Sequence, residues 1–399
     1  MLSLLPTELH QYSVHDMLRG LAAAKQTGAM LDPISLPGLG NAISIRSARA
    51  AIIVAIKALG LRAGSRIGVP LYCCPVVFKA IKVADCQPRF LDVDPETFCL
   101  SSKNLQAKHS EIDAIIAVHM FGNLCDMPMI LETMSGKPVI EDCAQSIGSR
   151  LDGRASGSFG DVSLFSFRSG KYLSVGEGAA LFARNRDLRD KIFDLVAALP
   201  APSRAEELKH IATTYIRAKL RGRVLWGSLG SLVWAIYNKK TEFAKQSPII
   251  MGQMFRSDLA AVHKRMPQLE SRIALQRAHA EYYERHLQLD YRMLCHEKPR
   301  AYYNRFMYPI VFPSTERRDA IAAFLRRQGI GTSHPYEDVI AGAKKHYGYD
   351  GDCPVAEKLL KQTLVVPGYH KLKTRDVEHI ARSLNQGYLG IGEDRGLPA

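Results

Sequence analysis

Short apolar runs bounded by turn residues recur through the first half of the chain, at Ile67–Pro70, Arg89–Val93, Ile112–His119, Pro138–Ile140 and Val162–Phe167. Runs of this length and punctuation read as buried strands. Between them, apolar residues fall at helical spacing. The alanine-rich stretch Ala42–Leu61 predicts a buried helix starting near Ser47, a second helix opens after Leu71, and a third covers Leu124–Met134. Alternation of strand and helix from Ile43 to Leu181 predicts an α/β domain, a parallel sheet with helices on both faces. Further on, a long amphipathic helix over Pro267–Leu287, a strand over Phe306–Val311 and a helix over Arg317–Gln328 predict a smaller α+β unit. The expected organisation is an N-terminal segment (1–30) with one helix around His15–Lys25 and a large domain (31–265) carrying an insert at about 188–245. A linker helix and small domain (266–390) and a disordered tail (391–399) follow.

Composition narrows this picture. With 399 residues, 47% hydrophobic and 23% charged, the chain is ordinary globular protein with enough length for two domains. No apolar run approaches the roughly 18 residues of a membrane span, and the start lacks the basic and apolar regions of a signal peptide. A cytoplasmic protein is expected. The eight cysteines form no C-x-x-C pair and no cluster with histidine, so they are expected reduced, with no metal site. A formal net charge of +14 favours anionic partners. The basic residues are spread along the chain rather than gathered in a nucleic-acid-binding module, so nucleic acid is not expected. The exception is 217–240, where Arg217, Lys219, Arg221 and Arg223 precede an apolar run holding both tryptophans, Trp226 and Trp234. That pattern suits a helix lying on the inner face of an anionic membrane, or a helical hairpin packed on the core or across a dimer interface.

The candidate chemistry sits between Pro138 and Leu181. One apolar run ends in Glu141-Asp142, and Lys171 follows the next. A carboxylate and a lysine at the C-terminal edge of one sheet occupy the place where open α/β sheets bind ligands. Pyridoxal 5'-phosphate needs that pair: a lysine for its aldehyde, a carboxylate to keep its pyridine nitrogen protonated, and hydroxyls such as Ser166 and Ser169 for its phosphate. On spacing alone, an exposed lysine and a strand-end aspartate satisfy the same pattern.

Four sub-motifs sharpen the reading: Glu141-Asp142-Cys143-Ala144-Gln145-Ser146, Gly157-Ser158-Phe159-Gly160-Asp161, Phe165-Ser166-Phe167 with Lys171 four residues on, and Gly176-Glu177-Gly178. In this order they resemble the sugar aminotransferases of the DegT/DnrJ/StrS type. The resemblance covers most of the chain outside 1–30, 188–245 and the tail. It implies a fold-type I transferase-like three-layer sandwich with a mainly parallel large-domain sheet and a smaller C-terminal α+β domain. It implies Lys171 as the Schiff-base lysine, Asp142 as the pyridinium partner, Gln145 beside the ring and Ser166 on the phosphate. Ser47-Ala48-Arg49 stands where the family has Ser-Gly-Thr against the phosphate; Arg49 either compensates for the lost glycine by a charge-assisted bond or faces solvent. Cys74 stands where a ring-stacking aromatic is usual, with Tyr72 the nearest aromatic, and Arg168 stands where histidine is usual. His119 either lines the cofactor pocket or is structural. Arg256 is the polar candidate for the phosphate of the neighbouring subunit, and His334 and Tyr336 for substrate. The implied activity is amino transfer from an amino acid, usually glutamate, to a nucleotide-linked keto-sugar in polysaccharide or glycoconjugate biosynthesis, by a homodimer with composite active sites. A related dehydratase would carry histidine in place of Lys171. Transfer to a lipid-linked carbonyl at a membrane, or a non-catalytic relative, are the competing readings.

Overall fold

The computed structural model describes residues 4–8, 10–26, 32–223 and 248–393. Its centre is an eight-stranded sheet in the order β1-β2-β10-β9-β6-β5-β3-β4. These are β1 (Ile34–Leu36), β2 (Gly40–Ile45), β3 (Arg66–Pro70), β4 (Gln87–Leu91), β5 (Ala114–Val118), β6 (Val139–Asp142), β9 (Val162–Ser166) and β10 (Ala179–Ala183). The two-residue strands β7 (Arg150–Leu151) and β8 (Arg154–Ala155) form a small hairpin between β6 and β9. From β4 to β9 every pairing is parallel. The expected alternation holds there, but the other side departs from it. β10 runs antiparallel to both β9 and β2, and β1 antiparallel to β2, which makes the sheet mixed. Lys171 and its glycine-rich surroundings replace a crossover helix after β9, and so short a link brings the chain back antiparallel.

Helix α1 (Val14–Ala23) precedes the sheet. α2 (Ala48–Ala58), α3 (Val76–Val83), α4 (Ser102–Lys108) and α5 (Met127–Thr133) fill the crossovers. α2 starts where the sequence predicts, with Ser47 Oγ accepting the Ala50 N–H at 3.3 Å. Apart from Arg49 and Lys57 it is apolar, and it is buried on nearly every side, between the sheet and its neighbours. Two helices from the expected insert are described, α6 (Arg186–Ala197) and α7 (Arg204–Leu220). Residues 224–247, which include both tryptophans, lie outside the described residues, so most of 217–240 does too.

After α8 (Arg256–Arg265), the long helix α9 (Leu269–His286) leads to a second unit. There β12 (Tyr308–Val311) pairs antiparallel with β13 (Thr363–Val366), and the short β11 (Ala301–Tyr302) joins β7. α10 (Thr315–Arg327), α11 (Val339–Tyr347), α12 (Pro354–Gln362) and α13 (Thr374–Glu393) complete it. Its core gathers Tyr283 of α9, Ile321 and Leu325 of α10, and Ile380 and Leu384 of α13 over the two strands. α13 carries ordered helix past residue 390, where a disordered tail was expected; residues 394–399 lie outside the described residues. Among the described residues no helix is long and apolar enough to cross a membrane.

α1 is tied to α8 by a buried ion pair. Asp16 closes a capping box with Ser13, lies 2.8 Å from Arg265 Nη2 and 3.3 Å from Lys264 Nζ, and is 6% exposed. Burial pushes its carboxyl up, but the Arg265 charge and the Ser13 bonds outweigh burial and hold it below the ordinary value. A depressed carboxyl contributes stability above its unfolded pKa and loses it as pH falls through the folded one. Asp16→Asn is therefore expected to cost about 3 kcal/mol at neutral pH, a difference that vanishes in strong acid. Urea unfolding of both proteins across a pH series checks this.

Candidate active site

β6 ends at Asp142, and in the adjacent parallel strand β9 its register partner is Leu164, two residues before that strand ends. Beyond Ser166 the chain folds into a tight loop. Val175 N–H donates to Phe167 O and Ser169 N–H to Gly176 O, both at 2.9 Å. Lys171 lies within this loop, its own N–H donating to Arg168 O at 2.9 Å. Gly178 follows at φ +111, and a Cβ there would sit 2.3 Å from Met254 Cε. Asp142 and Lys171 thereby line one cavity of about 310 Å³.

The same cavity takes in Ser47, Ala48 and Arg49 at the start of α2, together with Cys74, Ser166 and Tyr336. The first-turn N–H groups of a helix have no partner within it and carry partial positive charge. An α2 N-terminus opening on the cavity is thus suited to an anion, with Arg49 and Ser166 beside it. The combination of an amine, a buried carboxylate and a helix N-terminus with hydroxyl and guanidinium donors matches what a phosphorylated aldehyde with a basic ring nitrogen requires. The residues fit pyridoxal phosphate.

Four residues expected in this cavity do not line it, and Arg256, expected to reach the neighbouring subunit, lies outside it as well. Tyr72 is wholly buried, edge-on to Phe98, Phe121 and Tyr336 at ring separations of 5.2, 6.0 and 5.9 Å. The turn closed by Cys73 N–H on Leu71 O at 2.9 Å accompanies this arrangement, with Tyr72 in the core and Cys74 on the cavity. His119 is wholly buried, its Nδ1 accepting the Cys125 N–H at 3.2 Å and its Nε2–H donating to Glu141 at 3.0 Å. Gln145 accepts the Phe121 N–H at 3.0 Å and donates to the Tyr336 hydroxyl at 3.2 Å, so it meets the cavity only through Tyr336. Arg256 begins α8, its backbone N–H on Glu207 Oε1 at 2.6 Å. His334 turns to Glu337 at 3.5 Å while its neighbours Ser333 and Pro335 line the wall.

Among the lining residues that were not predicted as site residues are three charged ones, Glu8, Arg168 and Glu177, and an aromatic one, Phe306. Arg168 and Glu177 lie in the recognised motifs. Phe306 opens the predicted small-unit strand and puts its ring 5.0 Å from Lys171 Nζ, a cation–π distance. Glu8 carries no local signal, because it arrives from the far end of the chain.

Burial sets the titration of the site. It pushes the Lys171 amine below the ordinary lysine value, and the Arg168 charge pushes it further, against opposing pulls from Asp142 and Glu8. It pushes the Asp142 carboxyl up, against the Ala144 N–H at 3.0 Å and the Lys171 charge. A cationic ring nitrogen would relieve that penalty by pairing with the carboxylate. His119, Glu141 and Cys143 also bring ligand-type atoms within 4.8 Å of one another, a cluster that the sequence spacing did not reveal. Glu141 is already committed: Oε1 accepts the Phe159 and Gly160 N–H groups at 2.6 Å, and Oε2 the Gly157 N–H at 2.8 Å and His119. The cluster braces the strand end that carries Asp142.

Because burial and the Arg168 charge both disfavour its ammonium form, the reactive neutral form of Lys171 is present at lower pH than in a free lysine. In cofactor-free protein, capture of an added aromatic aldehyde by Lys171 is expected to accelerate through a midpoint below the ordinary lysine value. Arg168→Gln should move that midpoint upward and slow capture at neutral pH about 3- to 10-fold. Stopped-flow absorbance against pH measures both.

Among curated proteins, the chain is 28% identical over 365 residues to a UDP-N-acetyl-3-dehydro-alpha-D-glucosamine 3-aminotransferase of Acidithiobacillus ferrooxidans, covering 89% of this chain and 86% of that one. It is 35% identical over 153 residues to the GDP-perosamine synthase of Escherichia coli O157:H7, covering 38% of this chain and 42% of that one. Its fold matches the crystal structure of the aminotransferase TlmJ from Streptoalloteichus hindustanus, with a TM-score of 0.73, 20% identity and coverage of 98% and 100%. The DegT/DnrJ/EryC1/StrS aminotransferase family matches residues 35–219 and 234–385. The chain belongs to that family and is a pyridoxal-phosphate-dependent aminotransferase.

Proposed function

We propose that this aminotransferase moves the amino group of an amino acid, glutamate first among candidates, to the keto group of a nucleotide-linked sugar in glycan biosynthesis. The observation that carries the reading is the shared cavity of Asp142 and Lys171 at the N-terminus of α2. The activities named for the Acidithiobacillus and Escherichia relatives supply the substrate class.

Bound pyridoxal phosphate supplies a carbonyl that exchanges with amines and a ring that accepts electrons. The protein residues do the rest. Lys171 Nζ, kept reactive by burial and Arg168, holds the cofactor and then carries a proton to and from the reacting carbon. Asp142 holds the ring nitrogen in its protonated form. Ser47, Ser166, Arg49 and the first-turn N–H groups of α2 hold the phosphate. Cys74 and Tyr336 bound the ring and substrate space, and Gln145 fixes the Tyr336 hydroxyl. His119 acts from beneath, through Glu141, and His334 stands at the rim. We read the chain as a large domain over 31–265 and a small one over 266–390, with the cavity between them. We also read it as a homodimer in which Arg256 reaches the phosphate of the other copy.

Incubation of the holoenzyme with glutamate and a panel of UDP- and GDP-linked keto-sugars tests the reading. The expected outcome is 2-oxoglutarate release matched by one amino-sugar nucleotide. Lys171→Ala should abolish it, and Asp142→Ala should lower kcat/KM at least about 100-fold. Exchange with amino acids but with no keto-sugar would overturn the substrate assignment. For the composite site, mixing Lys171→Ala with Arg256→Ala is expected to restore about a quarter of wild-type activity, since half of the mixed dimers' sites are intact. No recovery after subunit exchange contradicts it.

A further inference from the structure

One carboxylate in the cavity wall comes from outside the family match. Glu8 lies ahead of residue 35, where the match begins, yet it faces the same space as Lys171 and Arg168. The stretch that carries it is tied down on both sides of the cavity. Leu5 N–H donates to Gly329 O, and Gly331 N–H donates to Leu5 O, both at 2.8 Å, so this strand-like end joins the small unit. Gln11 N–H donates to Ser174 Oγ at 3.3 Å, and the same hydroxyl accepts the Gly170 N–H at 3.2 Å. The second tie therefore reaches the loop that holds Lys171.

Glu8 sits between these anchors. Beneath it, Gly170 has φ +91, and a Cβ there would meet Glu8 Oε2 at 2.6 Å. The loop can pass under the carboxylate only because residue 170 has no side chain. Behind it, the nearly buried His10 lies 3.7 Å away, with the Arg221 guanidinium donating to its Nε2. The Glu8 side chain keeps 33% of its surface exposed and lines the cavity. Within the wall Glu8 lies in the field of Arg168 and Lys171 as well as His10, Glu177 pairs with Arg46 at 3.0 Å, and Asp142 accepts the Ala144 N–H at 3.0 Å and faces the cofactor ring in the proposed arrangement. A carboxylate presented to substrate accepts hydrogen bonds from hydroxyl groups, which a keto-sugar carries and glutamate lacks.

We propose that Glu8 is a specificity-determining residue that recognises the hydroxyl groups of the keto-sugar acceptor, delivered into the site by the N-terminal strap. The assignment rests on the nucleotide-sugar reading above. The strap also links the sugar site to the small unit, since Leu5 and Glu8 belong to one short stretch.

Stopped-flow absorbance of the holoenzyme separates the two halves of the reaction: amine uptake from glutamate, and amine delivery to the keto-sugar nucleotide found by the panel. Glu8→Ala is expected to lower delivery kcat/KM about 10- to 100-fold, mostly through KM, with uptake from glutamate changed less than about 3-fold. Glu8→Gln keeps one acceptor oxygen and the packing of the strap, so it should fall between, and it decides the matter alone if Glu8→Ala does not fold. Calorimetric binding of the aminated sugar nucleotide to the amine-loaded enzyme, which cannot react with a second amine, should weaken by the same factor. Equal loss in both halves would make Glu8 a mere counter-charge to Lys171 and overturn the proposal, as would unchanged delivery and binding. A wild-type enzyme that takes up amine from glutamate but delivers it to no keto-sugar would overturn the proposed function, and this assignment with it.

Discussion

The site depends on the parallel pairing of β6 with β9. Parallel strands end on the same edge of a sheet, so the side chains that follow them meet without any long excursion of the chain. Asp142 is the last residue of β6, and Lys171 comes five residues after the end of β9. Two opposite charges reach one cavity because two neighbouring strands stop together. The Glu141 carboxylate, saturated by backbone N–H groups from the loop before β9, locks the end of β6 to the loop that leads into β9. A one-residue slip in that register would turn Asp142 to the opposite face of the sheet.

Around that pair the structure trades stability for chemistry. An isolated buried charge is costly, and both Lys171 and Asp142 are displaced by burial toward their neutral forms. Each nevertheless has the other's charge nearby, and a cationic ring would offset the cost of the Asp142 charge. The departures from the family pattern gather on this same wall. Arg49 and Arg168 add positive charge, and Glu8 adds negative charge from a segment that the family match does not reach. Cys74 leaves space where an aromatic ring would otherwise stand. The variation thus falls on residues that line the cavity beside Asp142 and Lys171.

What the sequence made legible followed from short-range physics. Apolar runs located β3, β4, β5, β6 and β9, Ser47 marked the start of α2, and the amphipathic repeat marked α9 to within two residues at its start and one at its end. Strand direction was less legible, because Ala179–Ala183 reads the same whether it pairs parallel or antiparallel. Cys74 and Tyr72 are two residues apart, and only the bond from Cys73 N–H to Leu71 O distinguishes core from cavity. Gln145 and His334 were placed one contact too close to the ligand space, each with a neighbour or partner in the wall instead. Glu8 was invisible for a different reason. Its position depends on Leu5 meeting Gly329, more than three hundred residues away in sequence, and no local pattern encodes such a contact.

The central claim is that a single lysine holds the cofactor against Asp142. Borohydride reduction of the cofactor-loaded protein, followed by peptide mass mapping, tests it most directly. The account predicts one phosphopyridoxyl adduct on the peptide containing Lys171, absent from Lys171→Ala. An adduct on another lysine, or none on protein that has been loaded and reduced, would contradict it.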